Sequence, residues 1–180
     1  HIDSPLAKVL EAIAQQGKDG FYRGPVAEAI VAEVRRQGGI LTLEDLAAME
    51  PVVRTPLRGE HAGYEVFTMP PPSSGGIALL ETLGILGAYH RLHPEPQLES
   101  LAYDAPQNVH LVTEAMKHAF ADRAEFLGDA DFADVPIDRL LSPQHAERLA
   151  AKINPARTLP PDAYGRFAGT DDGGTSHISV

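Results

Sequence analysis

The segment Gly173-Gly174-Thr175-Ser176-His177 carries the residue types with the sharpest chemical meaning in this chain. A threonine hydroxyl is a weak nucleophile unless a base lies beside it. When threonine is the first residue of a chain, its own α-amino group can be that base, because an ordinary amine pKa of about 8 leaves a useful fraction neutral at physiological pH. Reaching that state requires the peptide bond before the threonine to break. The same hydroxyl can break it by attacking the preceding carbonyl, giving an ester that water then hydrolyses. Gly174 suits the attack, since no Cβ blocks the approach and glycine tolerates unusual backbone angles. Spacing alone leaves an alternative open, a Gly-Gly turn feeding an ordinary strand. His177 stands two positions beyond Thr175 and on a strand would face the same way, as would Ser179. Each would either support the hydroxyl or pack.

Three other groups invite chemistry. Ser73 and Ser74 before Gly75-Gly76 could form an anion nest at a helix start, or the adjoining prolines and glycines could set a tight entry from strand to helix. His110, Glu114 and His118 fall four apart on one helical face, a spacing open to a metal. They match no catalytic signature, so the simpler expectation is a solvated face. Asp129, Asp131 and Asp134 resemble part of a calcium loop without its glycine and closing glutamate, and read as a capped turn. No metal and no cofactor is expected.

The elements that must position these residues are mostly helical. Ser4-Pro5 reads as a cap and first turn, with Leu6, Leu10 and Ile13 at helical spacing and Gly17 as the stop. Pro25 opens a second helix closed by Gly38-Gly39, and Thr42 to Asp45 resembles a capping box. Val52-Val53 and Tyr64 to Met69 read as strands, with a turn near Gly59 to Gly63. The prolines at 70–72 demand an extended segment before an apolar helix, Ile77 to Tyr89, and His93 to Pro96 reads as a loop. A longer helix follows from Pro106 to Leu127, with Val109, Val112, Met116, Phe120 and Leu127 along one stripe. Ser142-Pro143 starts another, ending near Ile153. Residues 154–174, rich in Pro, Gly and Asp, read as a mobile surface loop before a β-like ending. No internal repeat and no interior linker is evident.

Composition narrows the function classes. The 180 residues have an apolar share of 43%, enough for a packed core. Acidic residues outnumber basic ones 25 to 15, for a net charge of −10 that repels phosphate backbones and argues against nucleic-acid partners. Cysteine is absent, which excludes thiolate catalysis and disulfides. No run of apolar residues reaches membrane-spanning length. The chain lacks a starting Met, so it is expected to begin inside a longer gene product.

FYRGPVAEAIVAEVR, GGILTLEDL, MPPPSSGG, EAMKHAFADRAEFLGD and the terminal GGTSHISV occur in that order. Together they resemble the γ-glutamyltransferases (γ-glutamyltranspeptidases) of the N-terminal nucleophile class, over essentially the whole chain. The resemblance implies an α/β fold, a four-layer αββα sandwich in the full protein, of which this chain supplies mostly helices and a few strands. It implies self-cleavage between Gly174 and Thr175, so that 1–174 is the back part of the large subunit and 175–180 the start of the small, catalytic one. Thr175 is then the nucleophile that accepts a γ-glutamyl group, with Ser176, His177 and Ser179 in support; Ser176 stands where relatives most often carry Thr and keeps the hydroxyl. The donor would be glutathione or a similar γ-glutamyl compound, the acceptor water, an amino acid or a peptide, and the location periplasmic or secreted. The Arg and Asp that grip the glutamyl group, and the oxyanion hole, are expected outside this chain, which alone would be inactive. Two rivals remain: a cephalosporin (glutaryl) acylase or polyglutamate-processing relative, and an uncleaved, non-catalytic binding module.

Overall fold

The computed structural model describes residues 4–94 and 102–165. They divide into two compact units at the Val53–Arg54 bond, a boundary that the sequence does not advertise with any Gly/Ser-rich linker. No helix or strand spans 48–56, and Val52 and Val53, expected in a strand, are exposed and unpaired there.

The first unit holds four helices: α1 (Pro5–Gln16), α2 (Asp19–Tyr22), α3 (Gly24–Arg36) and α4 (Leu43–Ala47). Their ends sit where local chemistry demands. The Ser4 side chain accepts from the Ala7 N–H to start α1, and Gly17 ends it at a φ of 61°. Thr42 and Asp45 make both hydrogen bonds of the capping box at α4. Gly20 packs so closely on α1 that a Cβ there would lie 2.2 Å from the Ala12 carbonyl oxygen.

The second unit begins with a hairpin, β1 (Leu57–His61) against β2 (Tyr64–Thr68), antiparallel with Leu57 opposite Thr68 and His61 opposite Tyr64. The turn is the pair Ala62-Gly63, both at positive φ; Gly59 lies inside β1 rather than in the turn. Four helices follow: α5 (Gly75–Leu92), α6 (Pro106–Phe126), α7 (Ile137–Leu140) and α8 (Pro143–Ala150), then a 3-10 turn, Pro161–Ala163. The core lies where α5, α6 and α8 meet, built from Ile85, Ala88, Tyr89, Leu111, Ala115, Ala146, Leu149, Ala150 and Ile153. Alanines on all three helices let the backbones approach closely. The fold is thus mostly helical with one small sheet among the described residues, as the pattern of helix and strand signals leads one to expect.

One expectation fails on α6. The stripe through Val109, Met116 and Phe120 is exposed, and the buried face instead carries Leu111, Glu114, Ala115, His118, Ala119 and Asp122. Periodicity picks out the larger apolar face; the structure buries the small and charged one, because its carboxylates have partners on other elements. The loop expectation holds in its first half, where 154–165 carries no helix or strand beyond the 3-10 turn, but the segment is tied to its neighbour. Residues 154–165 are held to α6 by hydrogen bonds, while 166–174 lie outside the described residues.

The entry to α5 explains the glycines after the proline run. A Cβ on Gly76 would stand 2.0 Å from the Met69 carbonyl oxygen and 2.7 Å from Thr68 Oγ1, whereas one on Gly75 would meet only Ser73 Oγ at 3.8 Å. Gly76→Ala is therefore expected to cost about 1–3 kcal/mol through overpacking, and Gly75→Ala to be neutral or slightly stabilising. Urea melts of the two variants check this; equal costs would show that the close backbone approach is not the constraint.

Candidate functional site

Gly174, Thr175, Ser176, His177 and Ser179 lie outside the described residues. What the described residues do contain is a pair of buried polar clusters on α6, centred on Glu114 and Asp122 about two turns apart along one face, with His118 midway between them.

The first cluster joins three helices. Glu81 projects from the middle of α5, Asp122 from α6, and His145 and Arg148 from α8; Glu81 is 2% exposed. Arg148 lies 2.9 Å from His145 Nδ1. A guanidinium can only donate, so Nδ1 accepts and the ring proton sits on Nε2. Nε2 lies 2.5 Å from Asp122 Oδ2 and 3.3 Å from Glu81 Oε1. Burial, then the hydrogen bond and charge of Asp122, push the Glu81 carboxyl up to about 10, so at neutral pH it carries a proton and donates it to Asp122. The chain of donors therefore runs inward from both ends to Asp122. The three ligand atoms of Glu81, Asp122 and His145 lie within 4.8 Å of one another, close enough for a cation. The proton placement fits such an ion poorly: binding at Nε2 would move the ring proton to Nδ1, against the Arg148 guanidinium.

The second cluster closes around Glu114, which is fully buried. Lys117 Nζ donates to its Oε1 at 2.8 Å and the Thr158 hydroxyl at 2.5 Å, while the Tyr164 hydroxyl donates to Oε2. Burial alone would raise this carboxyl; the hydrogen bonds from Lys117, Thr158 and Tyr164 outweigh it and hold the group down to about 2. His118, one turn on, is 1% exposed, with its ring 4.9 Å from that of Tyr164 and no partner for either nitrogen among the described protein atoms. Burial, with the Lys152 charge nearby, lowers it to about 4, so it is neutral at physiological pH.

The solvated reading of His110, Glu114 and His118 is thus wrong. His110 Nε2 bonds the Asn154 carbonyl at 2.8 Å, Glu114 takes three donors, and His118 is core. The residues share a face but serve to hold 154–164, not to converge on an ion. Ser73 and Ser74 take the structural role: the Ser73 N–H reaches the Pro70 carbonyl, and Arg123 Nε donates to Ser74 Oγ at 2.8 Å, beside a recess of about 320 Å³ lined by Pro72, Ser74, Arg123 and Leu127. Asp129 caps its own turn, accepting from the Asp131 N–H at 3.0 Å, and Asp131 pairs with Arg54. Sequence reading passed over Glu81, Asp122, His145 and Tyr164. One signal was present: Glu81 is the only charged residue in the apolar run 77–89, and a lone acid there must find a buried partner.

Comparison with known proteins gives a consistent picture. The sequence pattern of the family described as gamma-glutamyltranspeptidase matches residues 2–180. The chain is 39% identical over 181 residues to the glutathione hydrolase proenzyme of Escherichia coli (strain K12), covering 99% of this chain and 30% of that protein. Among solved structures it resembles Helicobacter pylori gamma-glutamyltranspeptidase, with a TM-score of 0.71 at 37% identity, over 93% of this chain and 47% of that one. It also resembles a cephalosporin acylase from Bacillus halodurans, with a TM-score of 0.64 at 30% identity, over 82% of this chain and 26% of that one. The chain spans about a third of the length of the curated relatives it matches.

The Glu81 cluster makes a prediction with a definite sign. The unfolded chain releases the Glu81 proton near 4.5 and the fold retains it to about 10, so between those values the folded state holds one proton more and stability falls as pH rises. Glu81→Gln keeps a neutral donor and removes the titration. Urea melts from pH 5 to 9 should show wild type losing stability faster with pH than Glu81→Gln; parallel profiles would mean that Glu81 is not protonated. Asp122→Asn, which removes the charge and sets a donor NH2 against one of two buried donors, should cost on the order of 3 kcal/mol.

Proposed function

This chain belongs to the gamma-glutamyltranspeptidase family, and from that premise we propose that the protein it forms part of cleaves itself between Gly174 and Thr175 and then transfers γ-glutamyl groups through Thr175. The proposed division puts 1–174 in the large subunit and 175–180 at the start of the small one. In self-cleavage, Thr175 Oγ attacks the Gly174 carbonyl carbon, the C–N bond breaks, the hydroxyl proton passes to the leaving nitrogen, and water hydrolyses the ester. The freed α-amino group then serves as base. Thr175 Oγ attacks the γ-amide carbonyl of a glutathione-like donor, its proton goes by way of that amine to the departing nitrogen, and a γ-glutamyl ester remains. Water, an amino acid or a peptide attacks the ester and restores the hydroxyl. Covalent capture divides one hard amide cleavage into two easier steps. Ser176, His177 and Ser179 support the nucleophile, and no metal or cofactor takes part.

The observation that carries this reading is a family match that runs through residue 180 and so includes GGTSHISV, the segment whose chemistry stands out on its own terms. The word proenzyme in the name of the Escherichia coli relative supports processing. A periplasmic or secreted location is proposed from the family resemblance; no described helix is long and apolar enough to cross a membrane. The likeness to a cephalosporin acylase keeps a glutaryl-type acylase as the second reading. An Arg and an Asp in the glutamyl-binding positions of the full-length sequence would favour the transferase.

Thr175→Ala in the full-length protein should leave one uncut chain on a denaturing gel and no γ-glutamyl transfer. Wild type should give two bands, the smaller beginning Thr-Ser-His. Thr175→Ser should retain partial cutting, because the hydroxyl remains. Normal cutting of Thr175→Ala would refute the assignment, and one persistent band in wild type would favour a non-catalytic binding module.

A further inference from the structure

His145 joins the interior of the three-helix unit to its surface. The ring is buried, with Asp122 of α6 at 2.5 Å and Glu81 of α5 at 3.3 Å from Nε2. Its other nitrogen, Nδ1, meets the guanidinium of Arg148 at 2.9 Å, one turn on along α8, and Arg148 is exposed. The neighbouring charged groups are engaged elsewhere. Glu147, beside Arg148 on α8, pairs with Arg91 of α5. Arg139 of α7 lies over the Phe126 ring. His118, one turn before Asp122 on α6, is held neutral by burial and by the Lys152 charge. The balance around His145 is therefore set by Glu81, Asp122 and Arg148.

Nδ1 carries one lone pair, and two cations compete for it. The Arg148 guanidinium donates to that lone pair in the neutral ring. A proton taken from water fills the same lone pair and makes the ring an imidazolium. The two exclude each other, because a protonated Nδ1 cannot accept and the two positive charges repel. Either one balances Asp122: Arg148 does so across the neutral ring, the imidazolium by direct contact through Nε2–H. We propose that His145 and Arg148 form a proton-driven exchange switch, in which acidification charges the ring and expels the guanidinium from Nδ1 into solvent while His145 keeps its contacts with α5 and α6. The cluster gains one proton from water, and the bond from Arg148 to Nδ1 is the bond that is given up. Glu81 holds its own proton across the same range. Histidine suits the role, since its charge ordinarily changes between pH 5 and 8. Arg148 suits it because an exposed side chain reaches water without any movement of α8. The core contact thus survives acidification, and what changes place is a cation on the surface of α8.

The test is a titration by nuclear magnetic resonance of the full-length protein, labelled with nitrogen-15 in its histidine rings, from pH 8 down to pH 5. The His145 signals are identified by their loss in His145→Gln. At pH 8 wild type should show a protonated Nε2 and a bare Nδ1. On acidification Nδ1 should take its proton as the Overhauser contact between the ring and the Arg148 side chain disappears, while that between the ring and Asp122 persists. Arg148→Met keeps an unbranched stem without charge or donor, and its ring should hold the second proton to a higher pH than wild type. Arg148→Lys returns a cationic donor and should bring the titration back toward wild type. A merely structural role for Arg148 would alter melting without moving the ring titration. Identical titrations in wild type and Arg148→Met would overturn the switch. So would a wild-type ring that gains its proton with the Arg148 contact intact, or that loses Asp122 as it does so. Should Arg148→Met not fold, the wild-type titration decides by itself.

Discussion

Three carboxyl groups buried in one small helical unit set the terms for the rest of it. Desolvating a carboxylate costs several kcal/mol even after relaxation, more than most single contacts in the unit can return. Glu114 and Glu81 meet the problem in opposite ways. Glu114 keeps its charge and surrounds it with an ammonium and two hydroxyls. Glu81 keeps its proton and becomes a donor. Asp122 accepts at the centre of its cluster, from His145 on α8 and Glu81 on α5. Each solution needs side chains from other elements, so the placement of α5, α8 and residues 154–165 around α6 follows from satisfying these groups as much as from closing the apolar core.

Acid stability should reflect the same arrangement. His118 stays neutral in the fold to about 4 while the unfolded chain takes up its proton near 6.5. Glu114 stays ionised to about 2 while the unfolded chain protonates it near 4.5. In both windows the unfolded state binds more protons, so falling pH removes stability first through His118 and then through Glu114. Glu81 acts in the opposite direction, which places the most favourable pH for this unit between the two effects.

Helix ends were legible in the sequence because their causes are local. Ser4, Thr42, Asp45 and Ser142 satisfy orphan backbone groups with side chains a few residues away, and Gly17 closes α1 with its own N–H on the Ile13 carbonyl. The buried face of α6 was not, because what buries it is remote in sequence: Thr158 lies 44 residues from Glu114, and His145 lies 64 from Glu81. A hydrophobicity pattern assigns Glu114, His118 and Asp122 to solvent by residue type, and no local signal corrects it. The segment 154–165 misled for a related reason. Its prolines and glycines do forbid regular structure, but lack of regular structure is not lack of anchoring, and Tyr164 supplies the anchor. At the candidate catalytic segment the sequence carried the whole chemical argument, since Gly174 to Val180 lie outside the described residues.

Charge balance is settled inside each cluster. Burial makes an uncompensated charge costly, so a buried carboxylate is matched by a nearby cation or by a proton. The Glu114 cluster sums to zero through Lys117. The Asp122 cluster does so through Arg148 acting across the neutral His145, and only because Glu81 is protonated. Were Glu81 ionised as well, that cluster would carry an uncompensated buried charge. The proton on Glu81 is therefore a requirement of the charge balance, and the lone acid in an apolar helix is admitted because it is uncharged there.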